Sequence, residues 1–135
     1  MRPALIGIIV GAFLSLAGTG AMAHHAFSSE FDASKPIILK GKVVKTEWVN
    51  PHSWVHIEVT QGGKTETWAI ECGAPNALLR RGWTKESLPI GAEIVVDGYR
   101  AKNGSNTANA KDITTADGKK MFVGSSGTGA PYERK

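Results

Sequence analysis

From residue 37 onward, hydrophobic and polar positions alternate in short runs broken by turn residues, the pattern of half-buried strands. Residues 37–49 form the first run, with Gly41 inside it. A glycine within a strand marks a bulge or a tight bend. Asn50-Pro51-His52-Ser53 predicts a turn, because proline presets φ and asparagine favours the first turn position. Residues 53–60 are the second strand, Gln61-Gly62-Gly63 the next turn, and residues 64–72 the third strand. Reading residues 50–53 as a four-residue loop fixes a register. Trp48 then faces Val55, Thr46 faces Ile57 and Val44 faces Val59, one mostly apolar face. The other face pairs Val49 with Trp54, Glu47 with His56 and Lys45 with Glu58.

Residues 73–82 predict one short helix. Pro75 suits its first turn, Arg80 and Arg81 suit its last turn and its terminal carbonyls, and Gly82 ends it. Trp83 and a further turn through Leu88 follow. Residues 92–100 are a fourth strand and 102–108 a polar loop. Residues 109–115 and 119–123 are strands joined by Ala116-Asp117-Gly118. Residues 124–135 are rich in Gly, Ser and Thr and read as a flexible tail. Three strands, a helix, then further strands is the order of an OB-fold, a five-stranded Greek-key barrel. The expected fold is therefore all-β with one short helix: an OB-fold-like small barrel of five to six strands over residues 37–123, preceded by an N-terminal segment at 24–36. A different small barrel or sandwich with one helix is the alternative.

The first residues read as an address. A Met-Arg-Pro start, an apolar run over residues 4–17 and Ala21-Met22-Ala23 make a secretory signal peptide at 1–23. The run is shorter than the roughly 20 residues that span a bilayer, so no stable membrane anchor is expected. The expected location is the periplasm, and cleavage after Ala23 would make His24 the first residue and His25 the second.

Composition narrows the classes. The chain has 135 residues, 41% of them hydrophobic, which suits a single domain. Sixteen Lys and Arg against twelve Asp and Glu leave a net charge of +4 with no run of five like charges. Such modest charge and an export signal argue against a nucleic-acid partner, although nucleic acid is a common OB ligand. One cysteine excludes an internal disulfide framework and any CxxC centre. No assembled acid, base and nucleophile set accompanies it, so no catalytic residue is assigned and the protein reads as a non-enzyme.

Ligands of an OB barrel usually sit on the face of strands 2 and 3. Outward positions there are Trp54, His56 and Glu58, with His52 in the adjoining loop, and Thr67 and Glu71 on strand 3. Asn103 and Asn106 lie in the loop expected to flank that face, with Arg80, Arg81, Lys102 and Asn109 as further polar rim candidates. Trp54, His52, His56, Asn103 and Asn106 are thus the candidate ligand-binding residues. Against this, Trp54 is equally suited to covering a strand edge, and His56 to pairing with Glu47. The four histidines, His24, His25, His52 and His56, are candidate metal ligands. A chain starting with His offers an amine and an imidazole, a donor set that suits Cu(II). His52 and His56 are about 13 Å apart along a straight strand and could share an ion only if the turn bends His52 back. Cys72 reads as a small buried apolar residue.

The stretches His24-His25-Ala26-Phe27-Ser28, Asn50-Pro51-His52-Ser53-Trp54, Asn76-Ala77-Leu78-Leu79-Arg80-Arg81-Gly82-Trp83 and Gly98-Tyr99-Arg100-Ala101 together resemble a family. It is one of small exported Gram-negative bacterial proteins carrying a domain of unknown function. The resemblance implies a periplasmic protein and brings no established activity, cofactor or catalytic residue. Two functions follow from the reading as a whole. The first is a non-enzymatic binding or interaction module that uses the outer face of strands 2 and 3 for an envelope ligand or another exported protein. The second is a periplasmic copper-binding protein built on the N-terminal histidines.

Overall fold

In the computed structural model, residues 26–133 are described. A single helical turn, α1 (Ala26–Glu30), leads into β1 (Phe31–Glu47), β2 (Trp54–Gln61) and β3 (Lys64–Glu71). The short helix α2 (Pro75–Arg80) follows, then β4 (Glu93–Ala101), β5 (Thr107–Thr115) and β6 (Lys120–Phe122). The strands lie in the order β3-β2-β1-β4-β5-β6, and β5 also pairs with β3. Five strands therefore close into a ring and β6 extends it at β5. All pairings are antiparallel except β3 with β5. This is the expected all-β fold, with its helix between the third and fourth strands. Among the described residues no helix is long and apolar enough to cross a membrane.

β1 holds the ring together because it serves two neighbours. It pairs with β4 as far as Lys42, and with β2 from Lys42 onward. At the changeover the backbones come close: a Cβ on Gly41 would lie 2.5 Å from the Glu58 carbonyl oxygen. The strand starts at Phe31, six residues earlier than the hydrophobic pattern suggests, because Asp32 to Pro36 are mostly polar and give no alternation.

The first hairpin differs from the expected register. Thr46 pairs with Val55, Glu47 with Trp54 and Lys45 with His56. The strands thus diverge two residues earlier than a four-residue loop requires, and residues 48–53 form the connection. A shift of two keeps each side chain on its face, because the strand period is two. Beyond it, an irregularity between Val43 and Lys45 changes the phase. Val43 and Ile57 become fully buried partners, while Val44, expected on the apolar face, is 36% exposed. A bulge of this kind is not legible in the run Lys42-Val43-Val44-Lys45, which offers either valine to the core.

Leu39, Val43, Val55, Ile57, Ile70, Ile94, Val96 and Ile113 fill the ring. Leu78 of α2, with Trp83 and Leu88 beyond it, packs into the same core, and the Trp83 indole donates to the Phe122 carbonyl at 3.3 Å. A second, smaller cluster joins the two ends of the described chain. Phe27, Phe31, Ala101 and Ala130 are buried together, with Tyr99 and Tyr132 against them. Phe27 meets the ring of Tyr99 edge-on at 5.5 Å and that of Tyr132 at 6.5 Å. Residues 124–133, which composition alone presents as a loose tail, are packed down here. The Phe27 amide donates to the Thr128 carbonyl, and the Glu133 carboxylate accepts from the Thr128 amide and hydroxyl at 2.8 and 2.7 Å. Glycine and serine suit this path because it makes turns and close approaches, which composition does not distinguish from disorder.

Two glycines test the closeness of the ring. A Cβ at Gly98 would run into the Asn109 carbonyl oxygen, as one at Gly41 would into that of Glu58. We expect Gly98→Ala and Gly41→Ala each to lower stability by about 2 kcal/mol or more, since forced overpacking against backbone has little room to relax. Thermal unfolding followed by circular dichroism measures this, and an unchanged melting temperature for both would contradict it.

Candidate functional site

The parallel pairing of β3 with β5 sets one row of residues side by side: Trp54, Glu71 and Asn109. Strand alternation turns Ile70 into the core and Glu71 away from it. Glu71 is nonetheless only 7% exposed, and Asn109 1%. The outer face is covered at this end by His52 from the β2 approach and by Ser125 and Tyr132 from the C-terminal segment.

The hydrogen bonds of this cluster have a defined direction. The Ser125 amide donates to the Tyr132 oxygen at 3.2 Å, and the Tyr132 hydroxyl donates to Asn109 Oδ1 at 2.7 Å. Asn109 Nδ2 donates to Glu71 Oε1 at 3.0 Å. His52 Nδ1 lies 3.1 Å from Ser125 Oγ and 3.8 Å from Glu71 Oε1. The Ser125 hydroxyl also lies 3.4 Å from the Cys72 carbonyl, an acceptor. His52 thus turns Nδ1 to Ser125 and Glu71 and keeps Nε2 on the other edge of the ring. Among the described residues, nothing hydrogen-bonds to Nε2. The His52 side chain is 24% exposed.

Burial dominates the electrostatics. It pushes the Glu71 carboxyl above the ordinary carboxylate range, and Glu30 adds to the effect, while His52 and the Asn109 bond pull it down. The neighbouring Cys72 thiol is fully buried and is pushed up to about 12 by burial first and by Glu71 second. Tyr132 is likewise pushed up to about 12, mainly by burial. Neither is a nucleophile at neutral pH.

Ser125, His52 and Glu71 do not form a catalytic relay. Such a relay needs the hydroxyl and the carboxylate on opposite ring nitrogens; here both lie on Nδ1. Among the described residues no three His, Cys, Asp or Glu side chains gather around a common point. His52 and Glu71 supply at most two donors, and His24 and His25 lie outside the described residues.

The other predicted site residues are dispersed. His56 Nε2 pairs with Glu47 Oε2 at 2.8 Å, and Glu47 also takes the Lys45 amine at 2.9 Å. Lys45 first, then His56, holds the Glu47 carboxyl below its ordinary value. His52 and His56 thus engage different acids on different strands. Trp54 is half-buried, next to a small cavity that Trp48, Leu78 and Trp83 also line. Asn103 Oδ1 caps its own loop by accepting from the Ser105 amide, and the Asn106 carbonyl accepts from the Ala69 amide. These hold the β4–β5 loop against β3 and do not reach His52. Sequence reasoning places Glu71 and Asn109 on candidate surfaces but misses Ser125 and Tyr132. Their only signal is a tyrosine inside an otherwise small and polar tail.

Residues 12–110 match one family, described as Family of unknown function (DUF6152). The match contains His52, Glu71 and Asn109 and stops before Ser125 and Tyr132. No curated protein matches the chain.

Two outcomes follow from the burial. A carboxyl whose pKa is raised on folding favours the native state most when protonated, and that contribution is lost as pH rises from its unfolded to its folded value. We therefore expect Glu71→Gln to melt at a higher temperature than the parent near neutral pH, with the gap closing near pH 4. A lower melting temperature at neutral pH would mean that His52 and Asn109 more than offset the burial cost. Cys72 should resist iodoacetamide in the folded protein and react fully in guanidinium; native-state alkylation read by mass spectrometry would contradict its burial.

Proposed function

The chain belongs to this family of unknown function, and on that premise we propose that it is a non-enzymatic binding protein of the periplasm. Its working surface is the outer face of β2 and β3 at the end where His52 meets Glu71, and its ligand there is Cu(II). One observation carries the reading: His52 turns Nδ1 to Ser125 Oγ and the buried Glu71 carboxyl, while Nε2 has no partner among the described residues. Histidines that bind metals commonly donate their second ring N–H to a carboxylate or other acceptor, which fixes the tautomer and aims the free nitrogen. A buried carboxylate costs stability, and such costs are retained where binding benefits from them.

The donor set fits the ion. Imidazole and amine nitrogens with a carboxylate nearby suit Cu(II). His24, with its amine once the signal peptide is removed, and His25 supply the further ligands in this reading. Phe27 is bound at Thr128, three residues along from Ser125, which touches His52. Three residues of extended chain reach about 10 Å, enough to bring a terminal histidine toward the cluster.

A second reading keeps the same face but gives it an envelope ligand or an exported protein as partner. It is favoured by Trp54, which stands in register with Glu71 and keeps some of its ring accessible. In that case Trp54→Ala abolishes binding to an envelope fraction while the fold survives.

The test uses protein exported and processed in a bacterial host. Its intact mass should begin at His24. Cu(II) titration should give sub-micromolar affinity, with a loss of more than about ten-fold in His52→Ala and in a form carrying one residue before His24. Weak binding that ignores both changes would overturn the copper reading and leave the Trp54 face as the working surface.

A further inference from the structure

The Arg81 amide donates to the Leu78 carbonyl of α2 at 3.0 Å, but its side chain does not turn back to the helix carbonyls. Its side chain crosses to the C-terminal segment, where Nη1 donates to the Gly124 carbonyl at 2.7 Å. Its guanidinium carbon sits 4.6 Å from the centre of the Phe122 ring. The guanidinium is thus held by a carbonyl on one edge and an aromatic face on one side, and it is half-buried. No Asp or Glu among the described residues lies within ion-pair distance of it. A partly desolvated cation with a fixed fork and no acid partner is prepared for an anion.

Arg81 opens onto a depression of about 550 Å³ that Lys111, Phe122, Ser125, Tyr132 and Glu133 also line. The acid among the described lining residues, Glu133, accepts from the Thr128 amide and hydroxyl through Oε1. Lys111 stands 3.8 Å from Asp97 and 3.5 Å from Asp112. Among the described lining residues Arg81 is thus the cation without an acid at ion-pair distance, and it stands beside Phe122, which is 36% exposed. We propose that this depression binds a small organic carboxylate. The carboxylate is taken by the donors Arg81 has left, and the apolar body lies along Phe122 and Tyr132. One guanidinium without an ion-pair partner among the described residues, next to an aromatic surface, matches a monoanion with an apolar body better than a phosphate dianion, which needs more positive charge and offers nothing to the rings. The site is separate from His52 Nε2 and stands or falls without the copper reading.

The experiment is an NMR titration of the processed full chain with benzoate, acetate and inorganic phosphate as probes. Benzoate should shift the Ser125, Ser126 and Tyr132 amides and saturate in the millimolar range or tighter. Acetate should act at the same amides more weakly. Arg81→Gln should weaken benzoate at least ten-fold. Arg81→Lys, which can keep the bond to Gly124, should weaken it about five-fold because the fork is lost. Phe122→Ala, which keeps the Arg81 bond to Gly124, should weaken benzoate more than it weakens acetate. Benzoate binding unchanged in both Arg81→Lys and Phe122→Ala would overturn the proposal, even if Arg81→Gln fails to fold. Tighter binding of phosphate than of benzoate would also overturn it, since the site would then read charge alone.

Discussion

Three residue pairs, Ala69 with Thr107, Ile70 with Ala108 and Glu71 with Asn109, join β3 to β5 in the one parallel contact of the sheet. Without them β3 would be an edge strand with unpaired backbone groups, and the inner face of the ring would open to water. With them, Ile70 and Ala108 are sealed inside at 0% exposure. The same contact places the Asn109 amide against the Glu71 carboxylate on the outer face. Ring closure and the polar cluster are therefore one event: what completes the core also builds the site.

Closure alone would leave Glu71 facing solvent. Its burial comes from the two ends of the described chain. Phe27 and Phe31 in front and Tyr132 behind converge on Tyr99, and this aromatic cluster holds residues 124–133 over the end of β3 and the start of β5. Burying four aromatic rings is favourable enough to carry polar groups down with them. The polar groups are then satisfied in sequence, Ser125 to Tyr132 to Asn109 to Glu71. The carboxyl is the one member left with an unfavourable balance, and His52 is the one member with an unused nitrogen. Those two deviations from a fully settled network are adjacent.

Arg81 acts in a similar way on the other side of the C-terminal segment. It straps Gly124 to the end of α2 and stacks on Phe122, so Ser125 is fixed from both directions. The segment that covers Glu71 is thereby also the wall of the Arg81 depression. A change at residues 124–126 would be felt in both places.

Period-two alternation, the turn residues and Pro75 at the start of a basic-ended run were enough to give the strand order, the helix and hence the fold class, because these signals are local and repeat along the chain. The facing of Glu47 and His56 was legible for the same reason, since a two-residue slip preserves faces. The loop length at Asn50, the bulge at Val44 and the early start of β1 were not legible. Each depends on which of several locally equivalent residues the closed ring can accept. The chemistry of the candidate site lay further still from the sequence. Nothing local in Gly124-Ser125-Ser126 distinguishes a free tail from a lid, and nothing local in Glu71 distinguishes a solvated acid from a buried one. Only the packing of both chain ends on the outer face decides that Glu71 is desolvated, that His52 meets Ser125 and Glu71 through Nδ1, and that the Arg81 side chain leaves its helix. Burial and hydrogen-bond direction are properties of neighbours far apart in sequence, and those neighbours are fixed only when the ring has closed.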